Sequence, residues 1–223
     1  PYTSSQFPEQ RAGGMGGVFL AEDTQLKRLV ALKVIRPHAA KMPGAAERFI
    51  REAQAAAAVR HDHVVTIYQV GQDHGVPFIA QELLTGETLE DRLARDKKIS
   101  VVESVAFARQ IAAGLAAAHE RGLMHRDIKP ANIWLEQPAD AASMPRVKIL
   151  DFGLARPQVG EHLTQSGAVL GTPAYMSPEQ ARGHAIDPRT DLFSLGVLLY
   201  ELCVGRRPFT GSNTMAILSS LAL

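Results

Sequence analysis

At 223 residues, with 46% hydrophobic and 21% charged residues, the chain has the make-up of an ordinary globular protein, long enough for one domain or two small lobes. A formal net charge of +1 gives no case for nucleic acid or an anionic membrane as the main partner. The single cysteine, Cys203, excludes an internal disulfide and fits a reducing compartment; set in an apolar run, it reads as a small buried hydrophobe.

From Val18 to Glu82 the pattern is mostly strand, interrupted by one helix. Residues 29–35 alternate as a strand closed by Pro37. Residues 45–60 are rich in helix formers, with Glu47 and Arg51, and Arg48 and Glu52, at i,i+4 spacing. Val64 to Val70 and Val76 to Glu82 read as two more strands, followed by a hinge near Leu83 to Gly86. Thr88 with Asp91, and Ser100 with Glu103, have the spacing of capping boxes that open two helices. The second runs through an alanine-rich stretch to Gly122. Residues 136–146, with two prolines, read as a loop, and Arg189 to Val204 as a strongly apolar core helix. The longest apolar run, near Leu195 to Val204, is about half a membrane span, so neither a membrane segment nor a secretory leader is expected in this chain.

Two short segments carry the chemistry. His125-Arg126-Asp127-Ile128-Lys129-Pro130-Ala131-Asn132 is followed, nineteen residues after Asn132, by Asp151-Phe152-Gly153. Together they supply a carboxylate, a lysine two residues on and two hard-oxygen side chains. Phosphoryl transfer from ATP needs that set, because positioning and charge neutralisation carry its rate. Asp127 can accept a hydroxyl proton, Lys129 can reach the transferring phosphate, and Asn132 and Asp151 suit magnesium. Upstream, Gly13-Gly14-Met15-Gly16-Gly17-Val18 precedes a strand, where a glycine loop can fold over phosphates and offer backbone N–H groups. Lys33, in VALK, follows Gly16 by seventeen residues.

In the order GGMGGVF, VALK, Arg51-Glu52, HRDIKPAN, DFG, GTPAYMSPE and DLFSLG, these motifs resemble the Ser/Thr protein kinases of the eukaryotic-like type found in bacteria, from about Gly13 to about Phe209. The resemblance implies an α+β, bilobal protein-kinase-like fold. Residues 1–84 would form a small β-rich, nucleotide-binding N-lobe with one key helix. Residues 85–223 would form a mainly helical catalytic and peptide-binding C-lobe, ending before the family's last helices. The implied activity is transfer of the ATP γ-phosphate to Ser or Thr of protein substrates, with ATP and Mg2+ as cofactors.

Residue by residue, the resemblance assigns Lys33 to the α- and β-phosphates and Glu52 to pairing with Lys33. Gly13, Gly14 and Gly16 would form the phosphate loop, and Val18 and Ala31 the adenine slot. Glu82 and Leu84 would offer hinge backbone groups. Trp134 falls either under the adenine or in the core. Asp127 is the implied base, with Lys129 beside it; His125 is structural, stacked with Phe152 and anchored by Asp191. Asn132 and Asp151 are the implied metal ligands. Asp151 to Glu179 is the implied activation segment, in which Thr164 and Ser166 match hydroxyls that relatives autophosphorylate and Arg126 would receive the phosphate. Thr172 and Lys129 agree with Ser/Thr specificity. Self-association for trans-autophosphorylation follows, as does a cytoplasmic location, at the membrane's cytoplasmic face if the parent protein is longer.

Some residues depart from the family pattern. Arg11 stands where the first loop glycine is expected, and residues 1–12, with Pro8, make a poor first strand. Ser177 replaces the usual alanine. The arginine that pairs with the residue matching Glu179 is absent, so an unpaired buried carboxylate is expected. Two other readings compete: a weakly active or inactive kinase-like binding module, and a small-molecule phosphotransferase, which would not need GTPAYMSPE. His61-Asp62-His63 lacks further ligands at metal spacing and reads as a loop, and Arg206-Arg207 as a solvated turn.

Overall fold

Runs of small and apolar residues punctuated by turn formers produce the first part of the molecule. The structure, a computed structural model, describes residues 2–3, 9–12, 16–35, 44–138, 140, 143–152 and 173–222. The chain divides into two compact units, Pro1–Thr85 and Gly86–Leu223.

In the first unit, β1 (Tyr2–Thr3), β2 (Glu9–Ala12), β3 (Gly16–Asp23), β4 (Arg28–Ile35), β5 (Ile67–Asp73) and β6 (Val76–Glu82) form one antiparallel sheet. Its order is β1-β3-β4-β6-β5, with β2 also paired to β3. Of residues 1–12, expected to make a poor strand, residues 2–3 and 9–12 pair with β3 in two short pieces. Arg11 pairs with Val18 and Ala12 with Gly17, and a bulge between Glu9 and Arg11 absorbs the irregularity. An edge position tolerates such a segment. The turn between β3 and β4 is fixed by Asp23, whose Oδ1 accepts from the Gln25 and Leu26 amides at 3.1 Å each.

Helix α1 (Ala45–Ala57) packs against β5 and β6 through Phe49, Ala53 and Ala56. It stops three residues short of the expected end. The Ala58 and Val59 amides turn back to Ala55 O and Ala56 O, so the last turn tightens to i→i+3 bonding. Strand β5 starts at Ile67, not Val64. Val64 and Val65 are buried, 2% and 4% exposed, but in a turn where Val64 N bonds His61 O. Their apolarity signalled burial and not strand.

The second unit opens with β7 (Gly86–Thr88), which pairs with β8 (Ile133–Glu136), itself paired with β9 (Arg146–Ile149). Gly86 has φ +114°, and a Cβ there would lie 2.1 Å from Leu135 O. Both demands select glycine. Gly86→Ala is expected to cost about 3 kcal/mol of stability, read as a lower urea midpoint.

Thr88 opens α2 (Leu89–Asp96) with a full capping box, as the spacing predicts. Ser100 caps α3 (Val101–His119) by accepting from the Glu103 amide at 3.2 Å. Beyond α3, Gly122 at φ +70° lets the Leu123 amide return to Ala118 O at 3.0 Å. Contrary to expectation, α3 is long and apolar enough, by length and composition alone, to cross a membrane. Its Phe107, Ile111, Leu115 and Ala118 are fully buried, and it packs against β9 and α5 (Arg189–Val204). That packing is how a core helix acquires the same composition.

Between β9 and α5 lies the short α4 (Pro178–Arg182), and α6 (Thr214–Ala222) ends the described chain. Helix α5 buries Val197, Leu198 and Leu202; Val197 joins Ala174 and Tyr175 in a cluster flanked by Phe193, Phe209 and Ile217. Cys203, expected to be buried, is half-buried on α5. The α+β class, with a sheet carrying one helix and a mainly helical second unit, agrees with the sequence-based expectation.

Candidate active site

One buried carboxylate organises the loop that holds the candidate base. Asp191, in the first turn of α5, is fully buried. Its Oδ1 accepts from the Arg126 amide at 2.7 Å. Its Oδ2 takes the His125 amide and His119 Nε2, both at 2.8 Å. The end of α3 and the loop that follows it thus meet on a side chain 65 to 72 residues later. Among them is a strained residue: Arg126 has φ +66°, a conformation that non-glycine residues hold only when their surroundings fix it.

His125 is fully buried and structural. Its ring lies 4.8 Å from that of Phe152. Nδ1 accepts from the Asp127 amide at 3.2 Å, so the ring proton sits on Nε2, which donates to Leu150 O at 2.7 Å. A single tautomer therefore links the segments bearing Asp127 and Asp151.

Asp127, Lys129 and Asn132 come together. Lys129 Nζ is 2.8 Å from Asp127 Oδ2. Asn132 Nδ2 donates to Asp127 Oδ2 at 3.0 Å and to Asp127 O at 2.8 Å. With both amide protons used on Asp127, the planar side chain turns its Oδ1 the other way. A single 3-10 turn, Pro130–Asn132, sets this up. The Leu150 amide donates to Asn132 O at 2.9 Å, extending the β8–β9 ladder and bringing Asp151, at φ +56°, next to it. The donor set, one amide oxygen and one carboxylate, fits a divalent cation that takes its other ligands from phosphates and water. Among the described residues no group of three or more His, Cys, Asp or Glu could hold a metal, His61-Asp62-His63 included.

The segment after residue 172 gives Ser177 a role and corrects the expectation for Glu179. Ser177 is a working cap: its Oγ accepts from the Gln180 amide at 3.3 Å, and its own amide donates to Gln180 Oε1 at 3.0 Å. Glu179 is not left unpaired. Its Oε1 accepts from Thr190 Oγ1 at 2.6 Å. Burial pushes its carboxyl upward, but hydrogen bonds from Thr190, its own amide and Ser177 outweigh that and hold it below the ordinary 4.5. A carboxylate that ionises more readily when folded contributes stability above its unfolded pKa and loses it as pH falls through the folded value. Thr190→Val is therefore expected to flatten the loss of stability between about pH 5 and pH 3, measured as urea midpoint against pH. Nearby, Tyr175 donates to Glu201 Oε2 at 2.5 Å, and burial followed by that bond raises its phenol pKa.

The residues expected at the nucleotide fall as follows. Val18 pairs with Lys33 across β3 and β4, and Ala31 lies two residues before Lys33, so all three share one sheet face. Glu52 is half-buried on α1. Gly16 has a structural requirement of its own, since a Cβ would sit 2.4 Å from Val34 O. The Glu82 amide donates to Thr66 O at 2.9 Å and its Oε1 accepts from Thr66 N at 2.7 Å; Leu84 follows, half-buried. On β8, Ile133 and Leu135 are buried, while Trp134 alternates to the other face opposite Lys148 and is half-buried. Arg126 Nε is buried with no hydrogen-bond partner among the described residues. Gly13, Gly14, Thr164, Ser166 and Thr172 lie outside the described residues.

Sequence reasoning missed His119, Gln180 and Thr190. For Gln180 a signal existed: Ser177-Pro178-Glu179-Gln180 is itself a capping-box pattern with proline at the first helical position. A lone histidine ending an alanine-rich helix offered none.

Residues 12–221 match the family described as the protein kinase domain. A probable serine/threonine-protein kinase of Streptomyces coelicolor is 41% identical over 211 residues, covering 92% of this chain and 30% of that protein. Serine/threonine-protein kinase PknB of Mycolicibacterium smegmatis is 40% identical over 211 residues, 92% of this chain and 33% of the relative. Serine/threonine-protein kinase PknL of Mycobacterium tuberculosis is 41% identical over 206 residues, 92% and 50%. The chain thus spans between 30% and 50% of the length of these relatives.

Proposed function

This chain belongs to the protein kinase domain family, and from that premise we propose that it transfers the γ-phosphate of ATP to serine and threonine hydroxyls of proteins. The observation that carries the reading is the Asp127 carboxylate held between Lys129 and Asn132, with the Asn132 main chain bonded to Leu150, the residue before Asp151. The relatives' names, all serine/threonine-protein kinases, support the same acceptor chemistry.

In this reading Asp127 orients the acceptor hydroxyl and takes its proton, a task that needs a fixed carboxylate more than a strong base. Lys129, already beside that carboxylate, lies ready to neutralise charge on the transferring phosphate. Asn132 and Asp151 would hold magnesium, which when bound neutralises and orients the phosphates. Lys33 is assigned to the α- and β-phosphates and Glu52 to holding Lys33. Gly13, Gly14 and Gly16 cover the phosphates; Val18, Ala31, Glu82, Leu84 and Trp134 receive the base. This assigns residues 1–84 to nucleotide binding and 85–223 to catalysis and peptide binding. Thr172 is assigned to Ser/Thr selection. Thr164 and Ser166 are the proposed sites of trans-autophosphorylation within a self-associated pair, with Arg126 receiving the phosphate, in the cytoplasm.

The test is transfer of labelled phosphate from ATP to a general protein substrate. Label on serine and threonine is expected. Transfer confined to sugars or other small alcohols, or none above background, would overturn the proposal. Phosphopeptide mapping that finds Thr164 and Ser166 unmodified in active protein would remove the autophosphorylation part alone.

A further inference from the structure

Resting on the phosphoryl-transfer reading, we infer that Gln180 is a positioning residue for Asp127, clamping the peptide group from which the base hangs. Arg126 holds φ +66°, so both of its peptide groups must be fixed from outside. On one side Asp191 Oδ1 takes its N–H. On the other, Gln180 Nε2 donates to Arg126 O at 2.9 Å. That carbonyl belongs to the peptide joining Arg126 to Asp127, whose N–H is in turn held by His125 Nδ1. The plane carrying Asp127 therefore has one acceptor and one donor fixing it, and Gln180 is the donor.

Gln180 can do this because it is itself immobilised. It is 4% exposed; its Oε1 accepts from Ser177 N and its own amide donates to Ser177 Oγ. Only one orientation of the side-chain amide satisfies both partners, oxygen toward Ser177 and nitrogen toward Arg126. The chemistry also explains the residue type. At the third position of a capping box either glutamate or glutamine serves the cap. An ionised glutamate would set a carboxylate against the Arg126 carbonyl, whereas glutamine supplies an acceptor to one and a donor to the other. Gln180 thus ties the cap of α4 to the backbone of the base.

The experiment compares wild type, Gln180→Met and Gln180→Glu in kinetics, thermal unfolding and amide hydrogen exchange of the segment 124–129. Gln180→Met is expected to lower kcat about tenfold or more, with KM for ATP within about twofold of wild type, because the loss is one of placement. Exchange in 124–129 should quicken. The ratio of wild-type to Gln180→Glu kcat should widen as pH rises through the pKa of the new carboxyl, which ionises and loses its donor, while the Gln180→Met ratio stays flat. Wild-type kcat and exchange in both variants would overturn the inference. So would a loss that follows the melting temperature with no pH trend in Gln180→Glu. A wild type that transfers no phosphate would defeat the kinase reading instead; the exchange data would still decide whether Gln180 clamps the loop.

Discussion

Asp127→Asn is expected to reduce kcat for protein phosphorylation by about 10²- to 10⁴-fold, the range a positioned general base contributes. The substitution is nearly isosteric, and it preserves the bond from Asn132 Nδ2 to the Asp127 main-chain carbonyl. What it removes is the proton acceptor and the negative partner of Lys129 Nζ, 2.8 Å away. KM for ATP should change by no more than about threefold, because the proposed role of the changed group is at the acceptor hydroxyl and not at the nucleotide. The melting temperature should move by no more than about 3 °C, since the carboxylate is partly solvated and its ion pair with Lys129 contributes about 1 kcal/mol or less. Steady-state label transfer beside a thermal scan measures all three. A kcat within about threefold of wild type would remove Asp127 from the chemistry.

Asp191→Ala is expected to act the opposite way, through the fold. The carboxylate is fully buried and accepts from His119, His125 and Arg126 at 2.7 to 2.8 Å. Truncation leaves those donors orphaned where water does not reach, at about 1–3 kcal/mol for each that finds no new partner. A net loss of about 3–5 kcal/mol follows, a large share of the roughly 5–15 kcal/mol that holds a domain together. For a protein of this size that corresponds to a melting temperature lower by about 10 °C or more. Activity should vanish with it, because the Arg126 peptide loses the acceptor that sustains its left-handed turn. Asp191→Asn offers one oxygen for three donors and should fall between. A loss below about 1 kcal/mol in calorimetry would mean that the carboxylate is not the hub its bonds suggest.

Local signals that agreed with one another were legible in the sequence. Strand β6 and helix α5 occupy the residues expected of them, and Thr88 and Ser100 open α2 and α3 as their spacing implied. The grouping of Asp127, Lys129 and Asn132 was legible too, because a single 3-10 turn brings them together. Features decided by pairing partners were not. Residues 1–12 look unfit for a strand until β3 offers an edge. The three-residue β7 exists only through its ladder with β8. Glu179 looked unpaired in the sequence because no cation stands at hand there; two hydroxyls and an amide stabilise the charge instead. Gln180 was overlooked because its importance lies in a bond to a backbone carbonyl 54 residues earlier, which no local pattern encodes.

The fully buried hydroxyls of Ser177 and Thr190 have one more implication. On the proposed reading, a domain that passes phosphate to alcohols also carries alcohols of its own. These two are the wrong targets by construction: each is engaged in holding the chain, and neither has a surface on which an incoming donor could land. Under the proposed self-modification, phosphate would therefore fall on other alcohols without any recognition element devoted to sparing these.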